Sequence, residues 1–203
     1  MSKGHILVQQ AKEMSEGGKE QLLKKIEQDA HDNEVMYWGC GRAVIDALLR
    51  HLNLGTSEVF KAASPLAGGV GRMGEACGAL AAGVMAIGLA YAPVKFDAAK
   101  VCREDPEYTE AAVRAHKFCE KFKEKFGCLR CSDVKAAVRG VHYKEYTRRN
   151  TIEAFEDHAK CGDVTGPAAR LAAEIILQPT ELFTAEINAE LEDLRQVRKQ
   201  QKG

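Results

Sequence analysis

The sequence lacks most of what marks a nucleic-acid binder, a disordered chain or a secreted protein. It has no excess of charge: Lys plus Arg is 29 and Asp plus Glu is 29. A nucleic-acid binder usually carries a large basic excess, so that class is set aside. Proline is scarce, 5 in 203 residues, which argues against a chain dominated by disorder. No stretch alternates apolar and polar residues with the period of two that a half-buried strand requires. Residues 1–10 are too polar to hold the apolar core of a secretory signal. No internal repeat, paired-carboxylate arrangement or nucleophile motif marks a catalytic centre.

Hydrophobic residues make up 45% and charged residues 29%, the mixture of a folded globular protein. The length suits one domain with a sizeable core. Cysteine is the unusual residue, at 7. An odd number without a signal points to a reducing compartment, so the expected location is cytoplasmic. Thiols there serve metal or redox chemistry better than structural disulfides.

The stretch from Ala76 to Val94 has no charged residue, long enough to raise a membrane span. Ten of its nineteen residues are Ala or Gly, which contribute little transfer free energy. The sequence therefore predicts a helix buried inside a bundle and no membrane span. Gly78, Ala82 and Ala86 recur at four-residue steps and would let a neighbouring backbone approach closely.

The remainder reads as helix. An amphipathic piece covers Ile6–Ile26, interrupted at Gly17-Gly18. A helix over Cys40–Leu52 aligns Val44, Ile45, Leu48, Leu49 and Leu52, and a short one follows over Ser57–Ala67. Asp105-Pro106 opens a helix that Gly127 stops, with Val113, Phe118, Phe122 and Phe126 on its buried face. Further helices are expected from Ser132, over Thr151–Lys160 and over Gly166–Leu177, with a polar connection at Arg148-Arg149-Asn150. A charged terminal helix starts at Pro179-Thr180. Its stripe of Phe183, Ile187, Leu191, Leu194 and Val197 packs on its own domain or, as a second reading, forms a homodimer contact. The expected fold is all-α, a single helical bundle around a buried Gly/Ala-rich central helix. The expected divisions are an N-terminal helical extension (1–33), a cysteine-rich helical domain (34–178) and a charged C-terminal helix (179–203).

Gly69-Val70-Gly71-Arg72-Met73-Gly74 matches GxGxxG, but no strand precedes it, so the dinucleotide reading fails. The passage reads instead as a turn that delivers Cys77 to a helix N-terminus. Cys40, Cys77, Cys131 and Cys161 all fall at expected helix starts, where free N–H groups and the helix dipole favour thiolate. If the four ends converge, they form a pocket for a thiolate-ligated cluster. Cys119 lies mid-helix between Phe118 and Phe122 and reads as a small buried hydrophobe; Cys102 also lacks the helix-start placement. Cys128-Leu129-Arg130-Cys131 is a CxxC pair, a signal for metal or thiol redox chemistry. His158, three residues before Cys161, is a candidate ligand or donor. Tyr37-Trp38 would either shield a centre near Cys40 or anchor the core, and Arg72 would either offset the charge of a centre or lie on the surface.

These features resemble the redox-active protein family named for the four-cysteine pattern C_GCAxxG_C_C. The resemblance runs from about Gly39 to Leu177. It rests on Gly39-Cys40-Gly41-Arg42-Ala43-Val44, the turn Gly68–Gly74 leading to Ala76-Cys77-Gly78-Ala79, Phe126-Gly127 before Cys131, and Cys161 ahead of an apolar helix. Carried over, the family's cysteines fall on Cys40, Cys77, Cys131 and Cys161. Ala82 stands where the motif has glycine, and Cys128 competes with Cys131 for the third place. The family's likeness to the non-haem part of split-Soret cytochromes implies an iron–sulfur cluster of 2Fe-2S type. Gly71, Arg72 and Gly78 are the candidate cofactor-contacting residues. The implied function is electron transfer with a redox partner protein. The alternatives are a thiol–disulfide oxidoreductase built on the CxxC pair and a structural zinc module.

Overall fold

The computed structural model describes residues 3–95, 105–140 and 159–201. The described residues form an all-α bundle with no strand among them. The helices are α1 (Lys3–Lys12), α2 (Glu16–Tyr37), α3 (Cys40–Leu52), α4 (Ser57–Ala63), α5 (Gly78–Tyr91), α6 (Pro106–Phe126), α7 (Cys131–Arg139), α8 (Ala159–Leu177) and α9 (Thr184–Gln201). The expected helix over Thr151–Lys160, the connection at Arg148–Asn150, Cys102 and His158 lie wholly or mainly outside the described residues.

α5 is the predicted central helix. Ala79, Ala82, Ala86 and Ile87 are fully buried, and small side chains let its neighbours come close. A Cβ on Gly83 would stand 2.4 Å from the Phe118 ring of α6 and 3.3 Å from Ala172 of α8. α3 buries Val44, Ile45, Leu48 and Leu52 completely, the stripe its periodicity foretold. α6 begins and ends as its sequence signals. The Asp105 side chain accepts from the Glu107 N–H at 3.0 Å, and Gly127 closes the helix at φ +77°. No helix among the described residues is long and apolar enough to cross a membrane.

Three boundaries differ from the sequence reading. Gly17 and Gly18 do not break a helix; they occupy the first turn of α2. Ser15 caps that turn, accepting from the Gly18 N–H at 3.2 Å, and α2 then runs to Tyr37. The expected division at residue 33 falls inside it. The terminal helix opens with a 3-10 turn over Thr180–Leu182 before α9 proper. Its stripe buries Phe183, Ile187 and Leu191 within the chain, while Val197 stays exposed.

The third difference concerns α8, which begins by Ala159 rather than at Gly166, so Cys161 lies inside the helix rather than before it. Gly162 and Gly166 are helical. Their lack of a side chain lets α2 lie against α8. A Cβ on Gly162 would stand 2.8 Å from the His31 ring, and one on Gly166 2.9 Å from the Glu27 carbonyl oxygen. The seam is tied by Thr165, whose hydroxyl donates to the Ala30 carbonyl at 3.1 Å, and by Arg170 against Glu20 at 2.7 Å.

Among the described residues, Arg114 is the largest fully buried side chain. Its guanidinium lies between the rings of Tyr91 and Phe183, 4.0 and 4.1 Å from their centroids. It donates to the Ile175 and Gln178 carbonyls at 2.8 and 3.1 Å and pairs with Glu110 at 2.8 Å. One charge thus joins α5, α6, the end of α8 and the approach to α9. A buried guanidinium is tolerated only with such partners.

Candidate functional site

The site starts from the glycine-rich turn. From Gly68 to Gly74 the backbone takes positive φ at Gly68, Gly69, Val70, Gly71, Arg72 and Gly74. A β-branched residue such as Val70 rarely adopts that conformation. The coil is held by its own backbone, with Gly71 N–H donating to Pro65 O at 2.7 Å and Gly74 N–H to Gly68 O at 3.0 Å. Gly69 is buried beneath it. A Cβ there would stand 2.6 Å from the Cβ of Cys131, so this turn packs directly on a candidate ligand.

The chain leaving the turn is tied to the segment before α7. Ala76 and Arg130 form an isolated antiparallel bridge. Around it, Cys77 N–H donates to Leu129 O at 2.9 Å, and Cys131 N–H to Glu75 O at 2.6 Å. Arg130 and Glu75 pair above it at 2.8 Å. Each cysteine follows a bridge residue directly, so one short backbone tie sets both. Cys77 is the N-cap of α5, and Cys131 is the first residue of α7.

Cys40 is the first residue of α3, after Gly39 at φ +106°. Its sulfur reaches toward the start of α5, where a Cβ on Gly78 would stand 2.6 Å away. Gly78 is therefore the candidate residue that makes room for Cys40. Cys161, in the first turn of α8, supplies the fourth side.

These four cysteines line one small cavity of about 20 Å³, together with Val134, Lys135, Val138 and Val164. That space suits a few atoms bonded directly to sulfur and is far too small for an organic substrate, whose pockets run to hundreds of Å³. Cys77 and Cys131 are buried, Cys40 and Cys161 partly so. None of the six described cysteines is in a disulfide.

Burial pushes the Cys77 thiol up to about 12, with the neighbouring Cys131 adding to the effect. The backbone N–H groups of Leu80 and Ala79, at the open end of α5, pull the other way. Cys40 is raised well above the ordinary range, first by burial and then by Cys77, Glu34, Cys131 and Cys161. The sequence expectation of thiolates stabilised by helix ends is thus outweighed at Cys40 and Cys77, because desolvation in an apolar cavity exceeds the help of the dipole. Four soft sulfur donors that repel one another as thiolates fit a cation-containing group bound among them. No group of three or more His, Cys, Asp or Glu among the described residues is arranged to hold a single metal ion. The sulfurs frame a space instead.

Across residues 38–175, more than half of the sequence, the chain matches the family described as "Putative redox-active protein (C_GCAxxG_C_C)". The chain belongs to that family. Family membership supports a redox role and redox-active cysteines. No protein of curated function and no solved structure matches the chain.

Of the residues singled out by sequence, Cys40, Cys77, Cys131 and Cys161 come together, and Gly78 touches Cys40. Cys128 does not line the cavity; its thiol turns back toward the Phe126 carbonyl oxygen at 3.3 Å. Gly71 and Arg72 are exposed on the turn and do not line the cavity either. Tyr37 and Trp38 are exposed rather than laid over the sulfurs. The apolar cover comes from Val134, Val138 and Val164, which sequence reading passed over. Their spacing held a signal, since positions three and seven beyond Cys131, and three beyond Cys161, share a helix face with the cysteine. Cys119 lies mid-helix beside Phe118 and Phe122, as expected, and is half-buried.

Proposed function

We propose that this chain is an iron–sulfur redox protein in which Cys40, Cys77, Cys131 and Cys161 hold the cluster. The observation that carries the reading is that four cysteines from four helices, far apart in sequence, line one small cavity. Four thiolate donors suit a 2Fe-2S cluster. Such a cluster supplies one-electron chemistry when bound. The chain's part is to present the sulfurs, exclude water with three valines and keep the cavity closed to organic molecules. The electron goes to or comes from a partner redox protein.

One observation weighs against the thiol–disulfide alternative. A dithiol enzyme built on Cys128 and Cys131 needs an accessible thiol of lowered pKa. Here burial and the nearby Asp133 raise the Cys128 thiol, and Cys131 is buried.

Purification without oxygen, followed by iron, zinc and sulfide analysis, tests the reading. The expected protein is brown, with iron and sulfide in equal amounts. Cys40→Ala, Cys77→Ala and Cys161→Ala should each lose most of the iron, whereas Cys119→Ala should keep it. A colourless zinc protein, or a metal-free one of normal fold, would sink the proposal.

A further inference from the structure

A second space, of about 400 Å³, opens in a cleft between α2, α3 and α4. Asn33 and Tyr37 of α2, Arg42, Ala43 and Asp46 of α3, and Phe60 of α4 line it. Asn33 and Tyr37 are four residues apart, as are Arg42 and Asp46, so each pair shares one helix face. The volume is that of a pocket for an organic molecule. None of these six residues lines the sulfur cavity, so the cleft keeps its chemistry whether or not a cluster is bound.

The polar groups of the cleft are held in place by the protein itself. Asp46 Oδ2 accepts from Asn33 Nδ2 at 2.9 Å and from Arg50 Nη2 at 2.8 Å. Arg42 donates from Nε to the Trp38 carbonyl at 2.6 Å and from Nη2 to the Tyr37 carbonyl. These bonds leave Asp46 Oδ1 and Arg42 Nη1 without a partner among the described residues. An acceptor and a donor are thus fixed on one face of α3, and rings stand on the facing walls, Tyr37 exposed and Phe60 half-buried.

We infer that the cleft binds a planar fused heterocycle whose edge carries a ring N–H beside a carbonyl, the edge that flavins, pterins and guanine share. The ring N–H donates to Asp46, the carbonyl accepts from Arg42, and the flat faces stack on Phe60 and Tyr37. Other ligand classes complement these walls less well. A hydrocarbon would strip water from two charged groups and give nothing back. A phosphate or an aliphatic acid would use Arg42, but it would meet the Asp46 carboxylate and leave both rings unused. Binding of the heterocycle makes and breaks no covalent bond.

Isothermal titration calorimetry on the full chain, purified without oxygen, tests this. The probes are riboflavin and guanosine, which present the edge on rings of different width. Their controls are N3-methylriboflavin and 1-methylguanosine, in which a methyl group replaces the ring proton, and 1-anilinonaphthalene-8-sulfonate, an aromatic anion without the edge. Riboflavin or guanosine should saturate one site per chain, and whichever does so identifies the ring width. Its methylated control should bind at least about tenfold more weakly, because a hydrogen bond to a charged group is lost. Phe60→Leu should weaken binding about fivefold through lost stacking. Asp46→Asn should weaken it by as much as the methyl group does. Circular dichroism checks that each variant is folded, and Tyr37→Leu replaces Asp46→Asn if the latter is not. Failure of both riboflavin and guanosine to saturate would overturn the inference. So would a methylated control or the naphthalene sulfonate binding as tightly as the parent compound, or folded variants binding like wild type, since the molecule would then sit elsewhere.

Discussion

The three glycines of α5 differ in what surrounds them, and replacing each by alanine separates helix propensity from packing at the site. Alanine is favoured over glycine in a helix by about 1 kcal/mol. At Gly88 a Cβ meets nothing within 4 Å, so Gly88→Ala should realise that gain. In a chain of this length the gain corresponds to a rise of roughly 2–4 °C in Tm. At Gly83 the new Cβ would stand 2.4 Å from the Phe118 ring, which is fully buried and hemmed in. Overpacking of this kind costs about 1–3 kcal/mol, so the net change is a loss of up to about 2 kcal/mol. At Gly78 the Cβ would stand 2.6 Å from the Leu66 carbonyl oxygen and 2.6 Å from the Cys40 sulfur. The carbonyl belongs to the backbone and yields little, so the sulfur is displaced. Gly78→Ala should therefore lose stability on the scale of Gly83→Ala and, unlike it, most of its bound iron. Urea unfolding followed by far-UV circular dichroism gives the first quantity, and iron and sulfide analysis gives the second. If Gly78→Ala keeps full iron, or Gly88→Ala is as destabilised as Gly83→Ala, the packing account of this helix is wrong.

Arg114→Met leaves the Glu110 carboxylate without its buried partner and the Ile175 and Gln178 carbonyls without a donor; unfolding free energy should drop by about 3–5 kcal/mol, and a drop below about 1 kcal/mol in urea would refute the clamp. In metal-free protein the folded Cys77 thiol keeps its proton up to about pH 12, whereas the unfolded one loses it near 9.0. Its contribution is therefore complete below pH 9 and declines as pH rises, by about 1.4 kcal/mol per unit; Cys77→Ala, measured by urea unfolding across that range, should flatten the decline. Cys128→Ala should be nearly silent in iron content and visible spectrum, while Cys131→Ala should leave a labile, altered centre that the double variant cannot hold. A silent Cys131→Ala beside a colourless Cys128→Ala would reverse that ligand assignment.

The architecture was legible wherever the signal was local. Asp105-Pro106 and Gly127 mark the ends of α6 through caps that need no tertiary partner. The four cysteines were legible because each sits near a helix start, which a single chain reveals. The sequence reading started α8 at Gly166, and glycine serves two purposes that look alike in one dimension. It stops a helix or lets another come close, and only the presence of α2 decides between them. Lys135 and the three valines lay at readable spacing from a cysteine, but which neighbour of a cysteine turns into the cavity depends on how α7 and α8 meet. Gly71 and Arg72 drew notice through a motif whose physical work falls instead to Gly69, pressed against Cys131.

The seam between α2 and α8 bears on what counts as a portable unit. The segment shared with the family begins at residue 38, one residue after α2 ends. Yet Glu20, Ala30 and His31 of α2 hold the helix that carries Cys161. A fragment cut at the edge of the shared segment would leave Gly162 and Gly166 facing water, two glycines with no seam to justify their lost chain entropy. The first turn of α8 would then be the part most prone to fray, and Cys161 would fray with it. Anyone grafting this site into another scaffold must bring the preceding helix along, because the edge of shared ancestry and the edge of mechanical support lie in different places.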